Sequence, residues 1–86
     1  MSDRIWVQLR DLQSRERELN NSIRENEQRI TRLQSERSRA GAHWDAQLRQ
    51  QDIDRQIANL QRGKQALERE LGRARNEIRG LESALR

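Results

Sequence analysis

The chain has 86 residues, of which 31% are hydrophobic and 37% are charged, and its formal net charge is +4. These proportions exclude a conventional globular core, because too little apolar surface is available to offset the conformational entropy of the chain. A disordered chain and a coiled coil both fit such a composition. The sequence contains no proline, which favours long uninterrupted helices, and no cysteine, which excludes disulfides and thiolate chemistry.

The first half of the chain repeats apolar residues in steps of four and three. Polar residues interrupt the repeat at Glu16, Asn26 and Arg37. The pattern is a heptad with a positions at 9, 16, 23, 30, 37 and 44 and d positions at 5, 12, 19, 26, 33 and 40. Such a repeat predicts a coiled-coil helix. Asp3 lies just ahead of the repeat and suits a first helical turn.

The second half carries its own heptad between Ile53 and Leu85, interrupted only by Lys64. Its a positions are 57, 64, 71, 78 and 85, and its d positions are 53, 60, 67, 74 and 81. The two heptad frames are out of phase with each other. A single continuous helix could not keep both apolar stripes toward one partner without a skip, so the sequence predicts that the chain reverses direction between them. A parallel oligomer of single long helices is the competing fold.

The register of the hairpin follows from pairing a layers with d layers. In an antiparallel pair the numbers of facing residues have a constant sum, and 83, 90 and 97 are compatible with the heptads. A sum of 90 places Asn26 opposite Lys64 and brings both chain ends together. The other sums place polar seam residues against apolar ones, which is costly. At a sum of 90, Arg15 lies near Glu77, and Glu27 lies near Lys64.

These patterns predict one domain over residues 1–86, an all-α antiparallel two-helix coiled-coil hairpin. We expect helices over about 3–40 and about 45–85, joined by a turn over about 41–45. Gly41 is expected at a left-handed helix C′ position and Asp45 at the N-cap of the second helix. Dimerisation of the hairpin into a four-helix bundle is an open alternative, because small domains bury little surface alone.

Residues that could carry chemistry are few. The chain has one histidine, no cysteine, no tyrosine and no glycine-rich phosphate loop. A metal site needs several converging ligands, and a nucleophile needs a base held beside it. We therefore predict no catalytic residue, no metal site and no cofactor, and a protein that is not an enzyme. His43 is predicted to be a solvent-exposed loop residue.

The two tryptophans are the most unusual residues on this polar chain. Trp44 falls at the apex with Leu48 one turn further on, and Trp6 falls near the open end beside Val7. A tryptophan here either folds back and seals the end of its own hairpin or anchors a binding interface, where tryptophan and arginine are enriched. Both alternatives are open for Trp44. The sequence therefore predicts a protein-protein interaction module, an adaptor, chaperone or small regulator, whose partner is another protein or a second copy. Its candidate partner-binding residues are Trp6, Val7, Trp44, Leu48, Arg37 and Arg39.

Basic residues of the apex half support an alternative function. They could contact phosphates and make the hairpin an RNA- or DNA-binding protein. No aromatic residue is interleaved with them, so the protein-binding hypothesis ranks first. The residues concerned are Arg29, Arg32, Arg55, Arg62, Lys64 and Arg69.

The sequence offers no membrane-directed segment. No apolar run approaches the roughly 20 residues that span a bilayer. The N-terminal residues lack the apolar stretch of a signal peptide. We therefore expect no membrane partner and a cytoplasmic location.

Overall fold

The computed structural model describes residues 2–42 and 44–86, and this part of the chain folds into two long helices without a strand. Helix α1 spans Ser2–Arg39, a 3₁₀ turn spans Ala40–Ala42, and helix α2 spans Ala46–Ala84. The two helices lie side by side in a rod of 67 × 14 × 14 Å. The predicted all-helical hairpin is thereby confirmed.

Local sequence explains why both helices run so far. Leu, Arg, Gln and Glu dominate them, and these residues lose little rotamer freedom in a helix. Asp3 lies in the first turn of α1, and Arg37 and Arg39 lie in its last turn, so both ends complement the helix dipole. The hydroxyls of Thr31 and Ser35 donate to carbonyls four residues earlier, which accommodates them inside the helix.

The core is one thin apolar seam between the helices. Its most buried side chain is Leu19, with 2% of its surface exposed. Leu19 packs with Ile23 of α1 and with Leu71 and Ala74 of α2, and Leu67 covers this cluster. No polar side chain of the described residues is buried, so the buried part of the seam is apolar.

Three ion pairs between the helices report the observed register. In each, a charged residue at an a position pairs with an oppositely charged residue at an e position of the other helix. The residue numbers of each pair sum to 91, which is the value expected when facing a and d residues sum to 90. The pairs are Glu16–Arg75 at 3.3 Å, Glu27–Lys64 at 3.3 Å and Arg37–Asp54 at 2.7 Å.

The connection between the helices differs from the prediction in two respects. Gly41 does not adopt a left-handed conformation, because the chain leaves α1 through a 3₁₀ turn instead of a left-handed cap. Asp45 occupies the N-cap position but makes no capping hydrogen bond, and its carboxylate lies 3.8 Å from the guanidinium of Arg49. His43 lies outside the described residues.

Both described helices are polar over most of their length. Neither α1 nor α2 contains a stretch that is long and apolar enough to cross a membrane.

Candidate interaction surfaces

The two sides of the seam differ in chemistry. On one side, which we call the ion-pair face, the e positions of both helices flank the seam. The three cross-helix ion pairs lie along this face at intervals. Each one neutralises a charge that interrupts the apolar seam, so charge contacts bridge the seam on this face, beside a polar cleft lined by Glu27, Lys64 and Glu68.

The opposite side, which we call the groove face, carries the d, g and c positions of both helices. Three open clefts lie along it, and each exposes d residues at its floor. The cleft near the open end contains Leu12 and Leu81, the next contains Leu33 and Leu60, and the one near the apex contains Ala40 and Ile53.

Burial follows the same division. Six large apolar residues at d positions are only partly buried. At a positions, only two large apolar residues are partly buried. Most a residues therefore point into the interface, whereas the d leucines other than Leu19 lie at its edge on the groove face. The half-buried d residues are Ile5, Leu12, Leu33, Leu60, Leu67 and Leu81.

The apex of the rod carries the most exposed apolar side chains. Trp44 has 95% of its surface exposed and Leu48 has 67%. Neither packs back onto the hairpin, because both fall outside the a and d positions of α2. Arg39 lines the adjacent cleft with Arg49. The structure thus places Trp44, Leu48 and Arg39 at one end of the rod.

The other candidate residues are separated from this tip. Trp6 and Val7, 55% and 56% exposed, lie in the first turns of α1 at the open end. Arg37 stands near the apex, but both its Nε and one terminal nitrogen bond the carboxylate of Asp54. The structure therefore does not join the six predicted partner-binding residues into one patch.

The basic residues of the nucleic-acid alternative are divided in the same way. Arg29 and Arg32 border the cleft of Leu33 and Leu60 on the groove face. Lys64 lies on the ion-pair face and contacts two carboxylates, at 3.3 Å and 3.8 Å. The remaining three, Arg55, Arg62 and Arg69, form a row of exposed side chains on the outer surface of α2.

Arg15 is the one residue of the groove face whose side chain forms an ion pair across the seam. The sequence predicted Glu77 as its neighbour, and the structure shows Glu70 at 3.1 Å instead. Glu18 contacts the same guanidinium at 3.4 Å, which draws the side chain toward Glu70. The hydrogen bond and the charge of Glu70 raise the pKa of Arg15. A raised pKa means that this contribution is present at neutral pH and is lost only in strong alkali.

Sequence reasoning missed the groove face. The heptad treats a and d positions alike, so it gave no reason to expect that one side of the seam would stay open. One signal was available, because all three charged a residues have an oppositely charged e residue at the matching height. That pattern distinguishes the two sides before any coordinates are known.

Metal chemistry finds no support in the described part of the chain. No group of three or more His, Asp or Glu side chains there could hold a metal ion. The chain matches no protein-family model, no curated protein and no solved structure. Its function therefore has to be argued from its own surfaces.

Proposed function

We propose that the chain is a non-enzymatic coiled-coil module for protein-protein interaction, an adaptor, chaperone or small regulator that binds its partner through the apex of the rod. The observation that carries this proposal is the exposure of Trp44 and Leu48 at 95% and 67%. A tryptophan side chain buries 150–250 Å² in an interface, and such residues dominate binding energy.

Charge at the tip indicates the chemistry of the partner. Arg39 and Glu36 of α1 and Arg49 and Asp52 of α2 line the apical cleft. A partner that offers an apolar pocket for Trp44, with an acidic rim near Arg39, would match this end of the rod. Trp6 and Val7 would serve as a second contact at the open end.

Affinity capture from the native cell tests the proposal. Trp44→Ala and Leu48→Ala should each reduce recovery of the partner at least about tenfold, since truncated interface anchors cost more than about 1.4 kcal/mol. Gln47→Ala is the matched control, because Gln47 is an exposed residue of the same helical turn. Helicity measured by circular dichroism should be the same in all three variants. Unchanged recovery with both Trp44→Ala and Leu48→Ala would refute the proposal.

The row Arg55, Arg62 and Arg69 supports the alternative of nucleic-acid binding. These residues are seven positions apart, which corresponds to about 10.5 Å along a helix. None of them forms an ion pair with another described residue, whereas Arg37 and Lys64 do. Arg62 donates only to Ala58 and Asn59 of its own helix. Three guanidinium groups without an ion pair on one side of a rod could contact successive phosphates.

An electrophoretic mobility shift at low salt tests this alternative. Replacing all three arginines of the row by glutamine should abolish a shift of RNA or duplex DNA. The matched control replaces Arg10, Arg17 and Arg24, which form a row with the same spacing on α1. Equal loss in both variants would indicate a general charge effect, and no shift of the unmodified chain would remove the alternative.

Self-association is part of the proposed function. The seam of a single hairpin leaves six large d residues half in water, and a four-helix bundle would bury them. A second copy of the chain is therefore one of the partners that we propose.

A further inference from the structure

The groove face is the side of the hairpin on which the partly exposed d leucines are concentrated. Its clefts follow the rod from Leu12 and Leu81 near the open end to Ile53 near the apex. The whole rod, 67 Å long and 14 Å wide, projects about 940 Å² on this side. A standard protein interface buries about 800 Å² per partner, so a stable dimer would use nearly the full length of this face.

We infer that a second copy of the chain covers the groove face, with both tips at the same end and the two-fold axis along the rod. This inference deepens the proposed function, because it names a partner and the surface that binds it. Each α1 would pack on α2 of the other copy, which completes an antiparallel four-helix bundle. Half-buried leucines of the two copies would then meet in shared layers.

The alignment of the two copies along the rod is fixed by the symmetry of this dimer. A two-fold axis along the rod keeps every residue at its own height. Within one hairpin, ion pairs whose numbers sum to 91 show which α1 and α2 residues share a height. A c residue of α1 must therefore face the c residue of α2 in the other copy whose number brings the sum to 91. For facing g residues, the two numbers must sum to 92.

The facing c positions are complementary in charge and size. Two of these five pairs join opposite charges, and the other three join a longer polar side chain to Gly, Ala or Asn. The pairs are Asp11 with Gly80, Glu18 with Arg73, Glu25 with Ala66, Arg32 with Asn59, and Arg39 with Asp52.

The facing g positions show the same complementarity. Arg15 meets Glu77, and large side chains otherwise meet small or neutral ones. None of the ten facing pairs joins two like charges. The g pairs are Gln8 with Ala84, Arg15 with Glu77, Ser22 with Glu70, Arg29 with Gly63, and Glu36 with Gln56.

The opposite orientation, with the tips at opposite ends, is disfavoured by charge. It would place α1 against α1 of the other copy, reversed about the middle of the rod. Like charges then face each other at three levels and opposite charges at one, Asp11 with Arg32, so repulsion outweighs attraction. The like-charge contacts are Arg4 with Arg39, Arg15 with Arg29, and Glu18 with Glu25.

Small residues give an independent reason for the parallel orientation. Gly63 lies on the groove face, and a Cβ added there would meet only the Asn26 amide at 3.4 Å within its own hairpin. Gly80 and Gly72 have open space around them. In the proposed dimer, Gly63 and Gly80 receive Arg29 and Asp11 of the other copy, whereas Gly72 stays outside the interface.

The dimer has a consequence for binding. It brings the two exposed Trp44 side chains to one end of the bundle. A partner with two matching pockets would then be bound at both, and a second linked contact raises avidity by effective concentration.

Charge reversal with complementation tests the inference. One variant carries Glu18→Arg and Asp52→Arg, and the other carries Arg39→Glu and Arg73→Glu. Each should raise the dissociation constant of its own dimer at least about 30-fold, because four facing pairs become repulsive. A mixture of the two variants restores all four attractions and should form a heterodimer as tight as the original. Sedimentation measures all three states.

A matched control reverses two arginines outside the interface, Arg10→Glu with Arg69→Glu, and should leave the dimer intact. Orientation is measured with spin labels on Gln47→Cys, which is unique because the chain has no cysteine. Two labels should lie within about two helix diameters, roughly 25 Å, whereas opposite tips would be about 60 Å apart.

Several outcomes would overturn the inference: a chain that stays monomeric up to about 1 mM, a label distance near 60 Å, or reversal variants that dimerise normally. Trp44→Ala separates this result from the proposed function. It should reduce capture of another protein and leave the dimer unchanged. If the chain proves monomeric but Trp44→Ala still reduces capture of another protein, the dimer inference is refuted and the proposed binding site at the apex is retained.

Discussion

The ion-pair face and the groove face border the same seam but differ in the contacts that they make. Three cross-helix ion pairs follow the ion-pair face, while one cross-helix pair, Arg15–Glu70, lies on the groove face. The first face specifies how the chain pairs with itself. The second leaves apolar side chains partly exposed, and it is the face on which we propose association. A narrow coiled coil can therefore assign register to one side and association to the other.

The largest expected effect separates the seam from the groove face. Leu71→Ala should destabilise the hairpin by about 2–5 kcal/mol, since it removes a buried side chain at an a position and leaves a cavity. Leu33→Ala, at a d position, should cost clearly less, because that residue is already partly exposed to water. Urea unfolding of the monomer, followed by circular dichroism at low protein concentration, measures both. Equal losses would show that the two sides of the seam are equivalent.

A medium effect concerns the ion-pair face. Glu16→Arg and Arg75→Glu should each lower the free energy of unfolding by about 1 kcal/mol, because each turns an attraction into a repulsion. The doubly substituted chain should recover most of this loss. A double-mutant cycle from thermal unfolding gives the coupling energy. Additive losses in the double variant would mean that the pair contributes nothing to register.

The smallest effect compares two glycines on opposite sides of the interface boundary. Gly72→Ala should stabilise the monomer by about 0.5–1 kcal/mol, because a Cβ there meets nothing and alanine favours the helix. Gly63→Ala should stabilise the monomer less, since its Cβ would touch the Asn26 amide. It should also weaken the dimer, unlike Gly72→Ala. Sedimentation and thermal unfolding of both variants distinguish these outcomes.

Particular residues show how far the sequence could predict this molecule. The heptads predicted two helices and a hairpin because apolar spacing is a local property of the chain. They also placed Glu27 beside Lys64, which the structure shows at 3.3 Å. The predicted partner of Arg15, Glu77, was wrong, because Glu70 and Glu77 both occupy g positions. Only the side-chain positions in the structure distinguish the two.

The candidate site was less predictable than the fold. The exposure of Trp44 and Leu48 could be anticipated, since neither fits the second heptad. The dispersion of the arginines could not, because residues close in height along the rod can point to opposite sides. The conformation of Gly41 was also beyond the sequence, since a 3₁₀ turn and a left-handed cap both end a helix.

What the sequence by itself determined is the helical hairpin and its register. Apolar periodicity predicts the two helices, and a residue-number sum of 90 is the register that places the polar seam residues Asn26 and Lys64 opposite each other. What only the tertiary structure decided is which side of the seam stays open. Positions a and d are interchangeable in a heptad, and they become different only when two helices rotate against each other. In this structure every d leucine except Leu19 is only partly buried, and these leucines form the groove face on which association is proposed.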